Sequence, residues 1–258
     1  MFQTLAQWLP AQAFAAFLVF TRLGTALSLM PGFSEHYVSV RFRFLLAATM
    51  TFVVLPVVQT QLPATPRSVA GLMLVLGGEI GIGMFLGFVA RMTFNALQTA
   101  GTIISMQTGL SAAVAFNPTT AQEGALTASL LAAVALIVIF VSDLHHLMIR
   151  AIVDSYTLFP PGRAVPVGDF ADVMARLLSS SFSLGLRMAA PFIVFGAIFF
   201  LGLGILARLM PQMQVFFVSQ PLQILLGLLI FAGTLVAGVT VFTGSFEDAM
   251  AVFIAPTR

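Results

Sequence analysis

The chain has 258 residues, of which 59% are hydrophobic and only 8% charged, against about 25% charged residues in ordinary soluble domains. That charge is too sparse to cover a water-soluble globule of this size, and a disordered chain needs the opposite composition. A multi-helix membrane protein is the class that remains. Every one of the 11 basic residues is Arg, and the net charge is only +2. Nucleic-acid binding asks for many cations on one face, so no nucleic-acid partner is expected. The absence of Cys removes disulfides, thiolate chemistry and Cys-held metals.

In chain order, the apolar stretches run Pro10–Met30, Phe44–Leu62, Val69–Ala90, Ala125–Ser142, Met188–Ala207 and Leu222–Thr243. Each approaches the ~20 residues that carry a helix across a bilayer. The first basic residue is Arg22, so the basic head of a cleavable signal is missing, and the N-terminal segment is expected to persist. Arg41, Arg43 and Arg67 flank the second stretch on both sides, so the positive-inside bias selects no orientation. Pro31-Gly32, Pro63 with Pro66, Asn117-Pro118 and Pro160-Pro161-Gly162 mark turns. Pro211 and Pro221 are expected to bracket the connection between the last two stretches. The segment Pro160–Arg187 is the most polar and reads as solvent-exposed.

A further stretch, Met92–Gln122, carries no charge but is rich in Gln, Thr, Ser, Asn and Gly. It suits a protein-enclosed space better than lipid. At 100° per residue, Gly83, Gly87, Arg91, Asn95, Gln98, Gly101, Thr102 and Ser105 share an arc of about 120°. Such a face serves either helix packing inside one bundle or an assembly interface. After it, Met106-Gln107-Thr108-Gly109-Leu110-Ser111 runs on through Phe116-Asn117-Pro118 without clear periodicity. Irregular backbone at membrane depth survives only where protein or a cavity shelters it. From the residues alone this stretch is a surface loop or a gating loop.

Asp143-Leu144-His145-His146 is the one cluster with metal-ligand character. His36 is distant and no spaced His motif accompanies it, so a polar helix end is the reading preferred over a metal site. Arg22, Glu79 and Arg91 are ionisable groups within apolar stretches, where such groups are functional candidates. A solute or ion transporter would make one of them its coupling site. The 13 Met and 26 Phe fit lipid-facing and core packing, and Met also suits adaptable sealing surfaces. No nucleophile–base arrangement, phosphate-cradling loop or carboxylate pair is present, so no enzymatic activity and no cofactor are expected.

Taken in order, several strings resemble the FliR family of flagellar biosynthesis proteins and its relatives in type III secretion injectisomes. They are Gly83-Met84-Phe85-Leu86-Gly87-Phe88, Gln98-Thr99-Ala100-Gly101, Gln107-Thr108-Gly109-Leu110-Ser111 and Asn117-Pro118. Asp143-Leu144-His145-His146, Ser155-Tyr156-x-x-Phe159-Pro160 and Arg208-Leu209-Met210-Pro211-Gln212-Met213-Gln214-Val215-Phe216 follow. The ordered set covers nearly the whole chain, and its last string lies closest to the flagellar branch. The complete lack of Lys departs from the family and reads as compositional drift.

The resemblance implies an all-α inner-membrane subunit of the type III export gate, packed with FliP-type and FliQ-type subunits. FlhB-type and FlhA-type components, unfolded export substrates and membrane lipid are its further implied partners. It also implies a FliP-like part over residues 1–187 and a FliQ-like hairpin over 188–243, turning between Pro211 and Pro221 with Arg208, Gln212 and Phe216 at the turn. The family's channel-plugging loop maps by motif to Met106–Gln122, which makes the gating reading the favoured one.

Overall fold

The computed structural model describes residues 2–66, 68–111, 126–163, 167–212 and 214–254, with side-chain surroundings from Pro10 onward, Val167 excepted. Among these residues there is no strand. Seven α-helices follow in order: α1 (Phe2–Leu29), α2 (Val40–Val58), α3 (Val69–Gln107), α4 (Leu126–Val141), α5 (Leu144–Leu158), α6 (Val167–Leu209) and α7 (Val215–Ala251). A single 3₁₀ turn, Gln59–Gln61, follows α2.

Local chemistry sets these boundaries. Pro31 and Gly32, the latter at φ 87°, end α1. Ser39 caps α2 by accepting the Phe42 N–H at 3.3 Å, and the Ser68 hydroxyl accepts the Gly71 N–H at 3.1 Å at the start of α3. These side chains satisfy N–H groups that a helix start leaves without partners.

Among the described residues, five helices are long and apolar enough to cross a membrane, and α4 with α5 forms a bent pair that counts as a sixth if taken as one span. The lengths of three differ from the expected single spans. α3, α6 and α7 run for 39, 43 and 37 residues, or about 55–65 Å at 1.5 Å per residue. That is roughly twice the ~30 Å hydrocarbon core. The polar Met92–Gln107 stretch is not a separate element but the continuation of α3, because no Gly-Pro break interrupts it. The polar region before Arg187 is largely exposed, as expected, and most of it is helical. It becomes the first half of α6, with Asp169 in the first turn, where the helix dipole favours an acid.

The chain divides into two compact units. One comprises residues 1–92, 143–177 and 247–258, the other 93–142 and 178–246. In the first, α1 packs on α2, and both touch α5. Its core includes Leu18, Leu23, Leu27, Met30, Leu86 and Tyr156, all buried. Phe85 stacks on Phe170 at 3.9 Å between centroids and meets Phe253 edge-on at 5.6 Å, which ties the start of α6 and the C-terminal end to α3. In the second unit, α6 and α7 form an antiparallel hairpin, with Phe192 against Phe231 at 6.3 Å and the end of Met188 against Gly238. Large apolar side chains such as Leu178, Phe182, Ile198, Leu201, Leu225, Leu229 and Val236 are exposed on this hairpin. Water would not tolerate so broad an apolar surface, whereas lipid or neighbouring apolar helices would.

Candidate assembly and gating elements

Inside the first unit, Arg22 and Arg91 are each held in an ion pair. Arg22 on α1 donates from Nε to Glu79 Oε2 at 2.7 Å and from Nη2 to Oε1 at 2.9 Å, a two-pronged bridge to α3. Both residues are almost fully buried, at 0% and 1% exposure. Two further donors are satisfied by the Ser155 hydroxyl at 3.1 Å and the Phe159 carbonyl at 2.9 Å. The Tyr156 ring lies under the guanidinium, 4.0 Å from its centre. The string Ser155-Tyr156-x-x-Phe159 is therefore the cradle of one arginine, and α5 presents it because positions one and four apart surround the same point at the helix end. Arg91, half-buried, donates to Glu35 at 2.7 Å and to the Ser34 hydroxyl at 3.2 Å, fastening α3 to the α1–α2 loop. The sequence singled out Arg22, Glu79 and Arg91 but not which groups each of them pairs with.

The small-residue face divides between the two units. Gly83 lies so close to α1 that a Cβ would collide with Thr25 and the Arg22 carbonyl. A Cβ on Gly87 would stand 2.7 Å from both the Ala26 carbonyl oxygen and Leu29 Cβ. In the second unit, a Cβ on Gly101 would strike the Ala128 backbone on α4. The Thr127 hydroxyl donates to the Gly101 carbonyl at the same contact. These three glycines thus serve packing inside the chain. Asn95 is half-buried, Ser105 is buried, and Gln98 and Thr102 are exposed.

The base of the expected gating loop is built in the second unit. α3 ends at Gln107, and Gly109 takes φ 77°, a left-handed conformation that suits glycine. α7 clasps this end: the Gln223 side-chain amide donates to the Gln107 carbonyl at 2.9 Å, and its amide group lies against Gly109. Gly227 leaves room for Thr108, and Gly196 on α6 leaves room for the Gln107 side chain. Thr108 and Gln223 are buried, whereas Met106 and Ser111 are exposed and Leu110 is half-buried. Phe116, Asn117 and Pro118 lie outside the described residues. Sequence reading missed Gln223, Gly227 and Gly196; the glutamine and glycine one turn apart, at 223 and 227, were the available signal.

At the hairpin, α6 ends at Leu209 with Arg208 in its last turn, and α7 begins at Val215. The connection includes Pro211 and Gln212. Phe216 and Pro221 correct the expected turn, for both lie within α7. Pro221 removes one bond, to the Phe217 carbonyl, near a helix start where few bonds are made.

Asp143 sits between α4 and α5 at φ 57°, so the expected polar helix end is a left-handed corner. The corner brings one ligand atom each from Asp143, His145 and His146 within 4.8 Å of one another. Asp143 and His146, 3.2 Å apart, are 75% and 70% exposed, so the arrangement is an open surface pair with His145 beside it.

A model of the family described as bacterial export proteins, family 1, matches residues 13–249. The chain belongs to this family. Among its relatives, the flagellar biosynthetic protein FliR of Caulobacter vibrioides is 40% identical over 242 residues, covering 94% of this chain and 96% of that protein. The Escherichia coli protein of the same name is 30% identical over 213 residues, covering 82% and 80%. The secretion system apparatus protein SsaT of Salmonella typhimurium is 29% identical over 232 residues, covering 89% and 88%. The FliR-type strings quoted from the sequence thus take defined places: a glycine face against α1, an arginine cradle on α5, a corner at Asp143 and a loop base held by α7.

Proposed function

We propose that this protein is a subunit of the flagellar type III protein export gate, required for building the flagellum. The observation that carries this reading is the end-to-end match to FliR of Caulobacter vibrioides, with no large part of either chain left over. Its role is structural and gating rather than enzymatic, and it needs no cofactor. It associates with other components of the export apparatus in the inner membrane at the basal body. FliP-type and FliQ-type subunits cover its exposed apolar helices, and FlhB-type and FlhA-type components adjoin it. Residues 1–187 correspond to the FliP-like part and 188–243 to the FliQ-like hairpin.

Support for gating comes from the loop base. The segment 112–125 leaves a helix end fixed by Gln223 and Gly109 and returns into α4, whose Thr127 is fixed to Gly101. A segment anchored at both ends on packed helices can close a channel and yield to a substrate without loosening the scaffold. In this reading unfolded substrate passes the gate, and other components with the proton gradient supply the energy.

The deciding experiment is a clean deletion scored for swimming and for flagellin in the medium. Loss of both, restored by the gene in trans, is the expected result. The match to SsaT supports a second reading, service in an injectisome. Normal swimming with failed effector secretion would select it, and intact secretion of both kinds would overturn the export reading.

A further inference from the structure

The corner before α5 brings together side chains that the sequence left as a polar helix end without a spaced His motif. Asp143 takes φ 57°, and the His146 backbone N–H donates to its carbonyl at 2.9 Å, so the backbone alone fixes the corner. The side chains then converge. The Asp143 carboxylate stands 3.2 Å from His146 Nδ1. Successive side chains on a helix diverge by about 100°, yet the His145 and His146 rings are in contact, 4.0 Å apart between centroids and tilted by 36°.

One ligand atom from each of the three residues lies within 4.8 Å of the others. Donors on one zinc ion, each at about 2.1 Å, stand no more than about 4.2 Å apart. Side-chain movement of less than about 1 Å therefore closes the set around an ion. Asp143 and His146 are exposed and free to make it, while half-buried His145 is the restrained member. The start of α5 is the positive end of a helix dipole, which opposes a cation, and the Asp143 carboxylate at that end offsets it. The other charges on α5, Arg150 and Asp154, face each other at 3.5 Å. Two imidazoles with one carboxylate suit zinc, nickel or copper, whereas magnesium and calcium call for oxygen ligands. Three protein ligands leave a fourth position open to water or to a donor from a neighbouring chain. We propose that Asp143, His145 and His146 bind a divalent late transition-metal ion such as Zn²⁺.

The site is separate from the export reading, which requires no metal, so a failed secretion experiment would leave it standing. The full chain, extracted with whatever subunits accompany it, is purified through a histidine-free tag and stripped with a chelator. It is then titrated with Zn²⁺, and the absorption of Co²⁺ in its place reports the ligand set. Saturable binding that neither Mg²⁺ nor Ca²⁺ displaces is expected. His145→Ala and His146→Ala should each weaken it by more than about tenfold, the cost of losing even a group that only orients a ligand. Asp143→Asn keeps the left-handed corner, which Asn bears readily, and should weaken binding several-fold through the lost charge. If one of these variants fails to accumulate in membranes, the others decide. Absence of saturable Zn²⁺ binding, binding that survives loss of both histidines, or displacement by Mg²⁺ would each overturn the proposal.

Discussion

Arg22 on α1 and Glu79 on α3, 57 residues apart in sequence, form a two-pronged buried ion pair at 2.7 and 2.9 Å. Every other arginine contact in the cradle, from Ser155, Phe159 and Tyr156, depends on Arg22 being held there. Removing one partner of a buried pair leaves the other charge uncompensated, a loss of about 3–5 kcal/mol. Glu79→Ala should therefore sharply reduce the protein's level in membranes, measured by quantitative immunoblot. The double variant Arg22→Met/Glu79→Leu should recover much of that level and also motility. A recovered level without motility would instead give the pair a role in ion coupling, as a transporter requires.

Gly87 tests close helix approach. Its absent side chain lets the Ala26 carbonyl and Leu29 of α1 come within a distance that even a methyl group would violate. Gly87→Leu should push α1 away, lowering both the folded level and co-purification with other gate subunits. Gly77→Ala, on the same helix but facing open space, should leave both unchanged. Equal behaviour of the two variants would remove the packing argument.

What the sequence made legible follows from the range of the physics involved. Helix class and membrane placement are written in local composition, so the apolar stretches were readable without any contact information. The arc from Gly83 to Ser105 was equally visible, since it is a property of one helix. Its use was not, because Gly87 meets α1 and Gly101 meets α4 only after folding. The same holds for Arg22, whose unusual placement was plain while Glu79 and Ser155 stand 57 and 133 residues away. Helix ends were misjudged at Pro221, where a proline expected to mark a turn sits inside α7. The clasp by Gln223 left only a faint trace, a polar residue at the head of an apolar run.

That clasp should govern leakage. The Gln223 amide holds the Gln107 carbonyl and covers Gly109 at the point where the proposed gating segment departs. Shortening the segment between residues 112 and 122 should make cells carrying the assembled gate permeable to small ions or molecules. Gln223→Leu keeps the volume but abolishes the hydrogen bond, and it should produce a smaller leak in the same direction. Unchanged permeability in the shortened variant would argue against a plugging role for the loop.

The corner at Asp143 offers a test of backbone rather than side chain. Its φ of 57° is left-handed, a conformation that costs an ordinary L-residue roughly 1–2 kcal/mol and that Asp, Asn and Gly bear most easily. Asp143→Gly should be neutral or slightly stabilising in thermal unfolding of the extracted protein, because glycine adopts this angle without strain. Asp143→Val should lower the unfolding temperature, since a β-branched residue tolerates the left-handed region poorly. If the exposed Asp143–His146 contact held the corner instead, Asp143→Gly and Asp143→Val would destabilise alike. Surface ion pairs of this kind contribute at most about 1 kcal/mol, so the backbone term should decide the order, with glycine above valine.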